Sequence, residues 1–217
     1  MNYSKSEKVR ENILKTAKKQ FYQFGFDNTT IRGIAKEANL NPSLAYYHFK
    51  GKYDIAHIII DEYHLKVKKI FEDRYADSVK DPFLRLLVLY RYGLREIYEN
   101  NRDLDFYISV YQNSYYDRSL VDEFRQVADC YLNNVSDEQL NIVAIATSAS
   151  WGHLYTDPDI PFNENFSHRV ILDAIDVMRW VYLGFERSFV LDKLDESYEI
   201  LDKLPHHGLH ILNDNID

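Results

Sequence analysis

The chain is predicted to be all-α, with a short-helix head followed by a longer helical body, and three observations predict it. Apolar residues recur at helical spacings of three, four and seven along most of the chain. No stretch alternates with the period of two that a half-buried strand requires. Only seven glycines and five prolines punctuate 217 residues, which favours long regular elements and excludes collagen-like or Pro/Gly-rich disordered architectures. At 46% hydrophobic and 28% charged residues, the chain is long enough and apolar enough to bury a substantial core.

Val9, Ile13, Ala17, Phe21 and Phe24 form the stripe of a first helix, with Lys and Gln on the opposite face. Gly25 stands where a helix-ending residue of positive φ belongs, and Phe26 supplies the closing apolar contact. Asp27-Asn28-Thr29-Thr30 is rich in helix-capping types, and a short second helix is expected over 31–38, burying Ile31, Ile34, Ala35 and Ala38. Asn39-Leu40-Asn41 is a tight turn, after which Asn41 as N-cap and Pro42 as first helical residue start a third helix through Phe49. Lys50-Gly51-Lys52 breaks it, and a fourth helix runs from 52 into the 70s. It holds no Gly or Pro between Gly51 and Pro82, and so should behave as a nearly rigid lever joining head to body.

Beyond Pro82 the pattern stays helical. Phe83, Leu86, Leu87, Tyr90, Leu94 and Ile97 make one stripe, Leu104, Tyr107, Ile108, Tyr111 and Tyr115 a second, and Val121, Phe124, Ala128, Tyr131 and Leu132 a third. A helix over 137–155 is apolar or small nearly all round from Leu140 to Trp151, so it should be buried on more than one side. A loop at Asp157-Pro158-Asp159-Ile160-Pro161 precedes a last long helix over 166–189, with a less regular tail after Leu191. The expected domains are 6–66 and 67–217.

Charge is unevenly spread. Residues 1–52 hold ten bases against four acids, a net +6, while the remainder holds sixteen against thirty, a net −14. A basic head on an acidic body is the electrostatic footprint of a nucleic-acid-binding domain joined to something else, although clustering on solvated helix faces would look the same. Two short helices joined by a tight turn inside that head read as a helix-turn-helix whose second member enters the major groove. Asn41, Pro42, Ser43, Leu44, Tyr47 and His48 begin or face out from that helix, a mixture of hydrogen-bonding and flat apolar groups suited to base edges and thymine methyls. Thr30, Arg32, Tyr46 and Lys52 lie near helix ends, where hydroxyls, cations and free N–H groups meet phosphates.

These residues carry a resemblance. Residues 9–55, with Phe24-Gly25-Phe26, Thr29-Thr30-Ile31-Arg32-Gly33-Ile34-Ala35-Lys36-Glu37-Ala38 and Asn41-Pro42-Ser43-Leu44-Ala45-Tyr46-Tyr47-His48-Phe49-Lys50-Gly51-Lys52, resemble the amino-terminal signature of the TetR family of bacterial transcriptional regulators. Ala45 departs from the larger aliphatic residue often found there, implying local repacking beneath the recognition helix, and Ser43 stands where glycine is frequent. The resemblance implies a homodimer that binds a pseudopalindromic double-stranded DNA operator, most simply as a repressor, and lets go when a small apolar or aromatic effector fills a ligand-binding and dimerisation body. An activator, or a regulator controlled by a protein partner, is the alternative within the family.

The resemblance also implies that the last two long helices pair with those of a second subunit. Ala144, Ala146, Thr147 and Ser150 on one, and Ala174, Val177, Met178 and Val181 on the other, are the interface candidates. The small-residue run at 144–150 suits that role and suits tight packing within one subunit equally. Tyr90, Tyr107, Tyr111, Tyr115, Phe124, Trp151 and Tyr155 are candidates to line an effector cavity, each also being an ordinary core aromatic.

Other constellations carry less. His57, Asp61 and His64 share one helix face without a further ligand element, and His206-His207-Gly208-Leu209-His210 reads as a solvated tail, so neither metal nor cofactor is expected. His153 and Asp157 could pair with Ser148 or Ser150, but there is no Gly-x-Ser-x-Gly elbow and no Gly-rich phosphate loop, so no enzyme is expected. The single Cys130 excludes an internal disulfide and should be a small buried hydrophobe in a reducing compartment. Polar residues after Met1, and the lack of any run of about 18 uncharged apolar residues, point to a cytoplasmic protein without signal peptide or membrane span.

Overall fold

A computed structural model of the chain describes residues 5–112, 119–154 and 167–213, with side chains throughout except at 151–154. Ten helices occupy these residues: α1 Lys5–Phe24, α2 Ile31–Glu37, α3 Pro42–His48, α4 Lys52–Tyr75, α5 Pro82–Tyr98, α6 Asn101–Tyr111, α7 Ser119–Tyr131, α8 Asp137–Leu154, α9 His168–Leu183 and α10 Arg187–Leu201. No strand occurs among the described residues, and none of their helices is long and apolar enough to cross a membrane.

The chain divides into two compact units. The first comprises residues 1–67, 95–110 and 206–217, and the second 68–94 and 111–205. Two segments expected in the body, 95–110 and the stretch after 205, thus pack with the head.

In the first unit α1 turns Ile13, Leu14, Ala17 and Phe21 inward, against Ile31, Ile34 and Ala35 of α2 and Ala45 of α3. Phe24, counted in the α1 stripe, is instead 57% exposed, because the helix ends there before its last turn reaches the core. Gly25 adopts φ +79° and its N–H bonds the Phe21 carbonyl at 3.0 Å, the single-bond left-handed termination expected from the sequence. Phe26 then closes over Phe21, ring centroids 5.4 Å apart, and Phe106 of α6 completes the cluster at 5.1 Å from Phe21 and 5.9 Å from Phe26.

The stretch after Pro205 is not a solvated tail. Leu209, Ile211 and Leu212 are buried, and two carboxylates with almost no exposure receive its backbone. Glu96 accepts from the N–H groups of His207 and Leu209, both at 3.1 Å, and Asp103 accepts from Leu212 N–H at 3.0 Å. Nδ1 of His210 lies 2.9 Å from Asp103 Oδ2 and 3.0 Å from the Asn100 amide nitrogen. Buried carboxylates persist where hydrogen bonds replace water, and here the strap supplies the donors.

The second unit is built around Phe83, Leu86, Leu87, Phe124, Val127, Leu140, Val143, Trp180, Leu183 and Phe185. Phe83 meets Trp180 at 4.6 Å and Phe185 at 5.0 Å between centroids. A polar nucleus lies beside these rings. Arg91 is 2.7 Å from Asp176 and 2.9 Å from Asp173, and Arg179 pairs with Asp176 while its guanidinium sits 4.8 Å over the Phe124 ring. Burial opposes the charge on both arginines. The carboxylates reverse that for Arg91, whose pKa is raised, whereas burial prevails at Arg179 and lowers its pKa.

Helix α8 begins with a reciprocal cap. Ser136 Oγ accepts from Gln139 N–H at 3.2 Å, and Gln139 Oε1 accepts from Ser136 N–H at 3.0 Å. The helix expected over 166–189 is two helices. Gly184 takes φ +112°, its N–H bonds Val181 and that of Phe185 bonds Trp180, both at 3.0 Å, with the Phe185 and Trp180 rings 5.4 Å apart. This paired-bond termination closes α9. The chain restarts at Arg187, and the supposedly irregular tail after Leu191 is the rest of a regular α10 that buries Val190, Leu194 and Leu201. Cys130, expected to be buried, is exposed near the end of α7, its thiol donating to the Gln126 carbonyl. The α7 core face is instead carried by Leu120, Phe124, Val127 and Ala128.

Candidate nucleic-acid interface

The three head helices are held so that α3 lies outermost. Thr30 caps α2, its hydroxyl oxygen accepting from Gly33 N–H at 3.0 Å. A Cβ at Gly33 would sit 3.2 Å from that oxygen and 3.5 Å from Gln20 Oε1, and the Gln20 amide donates to the Gly33 carbonyl at 3.2 Å. A side chain there would thus crowd the capping hydroxyl of α2, while its contact with Gln20 of α1 would be an ordinary one. Asn12 reaches from α1 to the Ala38 carbonyl at 3.1 Å, and Asn39 makes the turn at φ +56°. Asn41 caps α3 by accepting from Ser43 N–H at 2.9 Å, with Pro42 at the first helical position. Ala45, the departure from the usual larger residue, is fully buried, and Phe49 seals the base beneath the Arg10 guanidinium, 5.6 Å from its ring centre.

This packing turns the remaining α3 side chains outward. Tyr47 is 80% exposed and Tyr46 48%. Asn41, Pro42 and Ser43 are exposed, and Leu44 and His48 half-buried. The Tyr47 and His48 rings meet edge to face at 5.1 Å. A helix presenting two phenols, an imidazole, a serine and an asparagine offers donors, acceptors and flat apolar area together, the mixture that base edges and thymine methyls require. Thr30 and Arg32 are exposed at the start of α2. Because Thr30 caps through its oxygen, its hydroxyl proton stays available to a phosphate.

Lys52 stands differently from its expected place among the phosphate contacts. Its Nζ donates to the Phe26 carbonyl at 2.8 Å and the Asp27 carbonyl at 3.2 Å, and lies 4.4 Å from the Phe26 ring centre. It ties the first turn of α4 to the α1–α2 connection.

The described effector candidates fall in both units. Tyr107 belongs to the first unit, where it meets His64 at 6.2 Å between centroids. Tyr90, Tyr111 and Phe124 belong to the second. Phe124 has no exposure, Tyr111 is buried, and the Tyr90 hydroxyl donates to Glu123. Tyr115 and Tyr155, like His153 and Asp157, lie outside the described residues, and so does the Trp151 side chain.

The interface candidates split by face. Ala144 and Thr147 are buried within the chain, Ser150 and Val177 are half-buried, and Ala146, Ala174, Met178 and Val181 are exposed. Neighbouring Ile142 and Ile145 of α8 and Tyr182 of α9 are at least half exposed, and sequence reading missed all three. A hollow of about 290 Å³ runs between the two helices, lined by Ile142, Ala146, Thr147, Met178, Arg179 and Tyr182 among others. Helix α8, expected to be covered on more than one side, is covered on one.

Residues 13–58 match the sequence family described as bacterial regulatory proteins, tetR family. A probable HTH-type transcriptional regulator of Bacillus subtilis (strain 168), YttP, is 27% identical over 128 residues, which is 57% of this chain and 58% of that relative's length. Among solved structures, an SmeT–triclosan complex aligns over 77% of this chain and 89% of its own at 21% identity and a TM-score of 0.47. A gamma-butyrolactone receptor (ArpA-like protein) aligns over 90% and 98% at 14% identity and a TM-score of 0.46. Helices α2 and α3 both lie within the matched stretch, so the helix-turn-helix they build is what this chain shares with the tetR family of bacterial regulatory proteins.

Proposed function

We propose that the protein is a homodimeric repressor that reads a pseudopalindromic operator with α3 and releases it when a small, largely apolar effector binds the second unit. The observation that carries the DNA reading is the pair of exposed tyrosines on a helix whose buried side is a single fully packed alanine. The Tyr47 ring, 80% exposed, contributes little to the packing of the head, which supports an external use for it. One recognition helix spans only a few base pairs, and useful specificity then needs two half-sites about 34–36 Å apart, hence two chains.

The apolar face of α8 and α9 supports the dimer. Soluble monomers rarely leave contiguous apolar patches on adjacent helices without a partner. Release follows if the effector favours the body conformation in which the paired heads no longer match the half-sites; equal affinity for both states would shift nothing. Helix α4 contributes residues to both units without a break and is the proposed route of that coupling.

The experiment is fluorescence anisotropy of the full chain on its own upstream DNA, with Tyr47→Ala beside the parent. The parent should bind specifically, and the variant should keep its helicity and lose about 5–150-fold in specific affinity, the range for one base-reading contact. Unchanged specific affinity in the variant removes α3 as the reading helix. No specific rise in anisotropy for the parent removes the reading altogether.

A further inference from the structure

We propose that Glu96, Glu99 and His206 form a site for a divalent transition-metal ion that fastens the strap at 206–212 to the first unit. Glu96 lies in the last turn of α5 and Glu99 just beyond its end, and His206 arrives from more than a hundred residues later. One ligand atom from each lies within 4.8 Å of the other two. His206 Nδ1 is 3.0 Å from Glu99 Oε1 and 3.9 Å from Glu96 Oε1.

Two glutamates on a helix end are ordinary solvated surface, but Glu96 is not solvated. Its side chain is 1% exposed, and it is held by the backbone it would help a metal to clamp. Oε1 accepts from His207 N–H and Oε2 from Leu209 N–H, one lone pair on each oxygen, so a second lone pair of Oε1 remains. Those bonds fix the carboxylate before any ion binds, which is the preorganisation a ligand site needs. Glu99 and His206, 57% and 48% exposed, are free to turn by the small amounts that close the shell.

The charge balance points the same way. Two carboxylates face one guanidinium, Arg95, whose nearest nitrogen is 4.0 Å from Glu96. The two carboxylates and that guanidinium sum to −1, and a divalent ion would bring them to +1, so the cation meets net attraction on arrival. One imidazole nitrogen and two carboxylate oxygens suit zinc, with water as fourth ligand. Ligand atoms around a tetrahedral zinc stand about 3.3 Å apart, between the 3.0 and 3.9 Å that His206 Nδ1 already keeps from the two carboxylates. Softer sites are thiolate-rich and harder ones all-oxygen, so this set selects neither copper(I) nor calcium.

Such an ion would join α5 to the strap directly across their junction. The strap's other anchors, His210 and Leu212 on Asp103, hold it independently, so the metal-free chain keeps the same fold. The test uses Zn²⁺, which outbinds manganese and iron at a shared N/O site and so detects a site meant for either. Calorimetric titration of the chelator-stripped full chain should give one ion per chain in the micromolar range. Glu99→Gln and His206→Ala, both at exposed positions, should each weaken binding by about 10–100-fold with unchanged helicity. Hydrogen exchange at the His207 and Leu209 amides should slow on adding Zn²⁺ in the parent and not in the variants. A parent that takes up no Zn²⁺ below millimolar concentration overturns the proposal. So do variants that bind as tightly as the parent, because the ion then sits elsewhere.

Discussion

The ammonium of Lys52 has three N–H donors, and two of them already point at main-chain carbonyls of the α1–α2 connection. Both carbonyls lie beyond the end of α1 at Phe24, and that of Phe26 also accepts from Thr29 N–H at 3.2 Å, so the ammonium braces a turn that is already hydrogen-bonded. The Phe26 ring beneath adds a cation–π contact. Lys52→Met keeps the aliphatic stem and removes the charge and both bonds. It should cost about 1–3 kcal/mol of stability, read by urea denaturation, and change the salt slope of DNA binding by less than one unit. An unchanged denaturation midpoint with a slope lower by about one would instead make Lys52 a phosphate contact. Tyr47 is the opposite case, 80% exposed with its ring against His48, and that contrast separates a residue that braces the head from one proposed to read DNA. Sequence pattern placed both on the same surface because a lysine near a helix start looks alike in either role.

At the level of elements, the head was legible because its signals are local. Gly25, Thr30, Asn41 and Pro42 each specify a helix end through their own backbone or a bond two to four residues away, and each lies where its chemistry predicts. The division between α9 and α10 was missed because apolar periodicity continues across Gly184, and glycine within a helical pattern is only weakly unfavourable. The decisive bonds, Phe185 to Trp180 and Gly184 to Val181, depend on a backbone reversal that periodicity does not register. Gly184→Ala isolates the effect. A new Cβ would meet nothing nearer than Leu132 Cδ1 at 4.0 Å, so the whole cost is the positive φ, about 1–2 kcal/mol. Chemical denaturation followed by helicity should show that loss. No loss would mean that the chain reaches α10 by another backbone path. The strap at 206–212 was missed for a different reason: its partners, Glu96 and Asp103, are more than a hundred residues away, and three histidines in five residues look solvated when read alone. The apolar Leu209, Ile211 and Leu212 were the available signal.

For the molecule as a whole, the uncovered face of α8 and α9 makes the strongest demand. Met178 is 61% exposed, Ile145 56% and Tyr182 50%. Met178→Glu leaves the single chain intact, since the side chain touches little of it, but sets a carboxylate in the proposed seam. Sedimentation should show the dimer dissociation constant rising by roughly 100-fold, the cost of burying an unpaired charge. A variant that stays dimeric at the parent's concentration dependence places the seam elsewhere. The discontinuous make-up of the first unit has a temporal consequence as well. Asp103 leaves the ribosome 109 residues before Leu212, the donor that satisfies it. At about 5–20 residues per second, α3, which ends at His48, exists for roughly 8–33 s before its own unit can be completed. A nascent or prematurely terminated chain therefore carries a recognition helix on an unfinished support. Translation itself delays the completion of this unit, and a truncated chain, lacking the donors its buried carboxylates need, is left open to proteolysis.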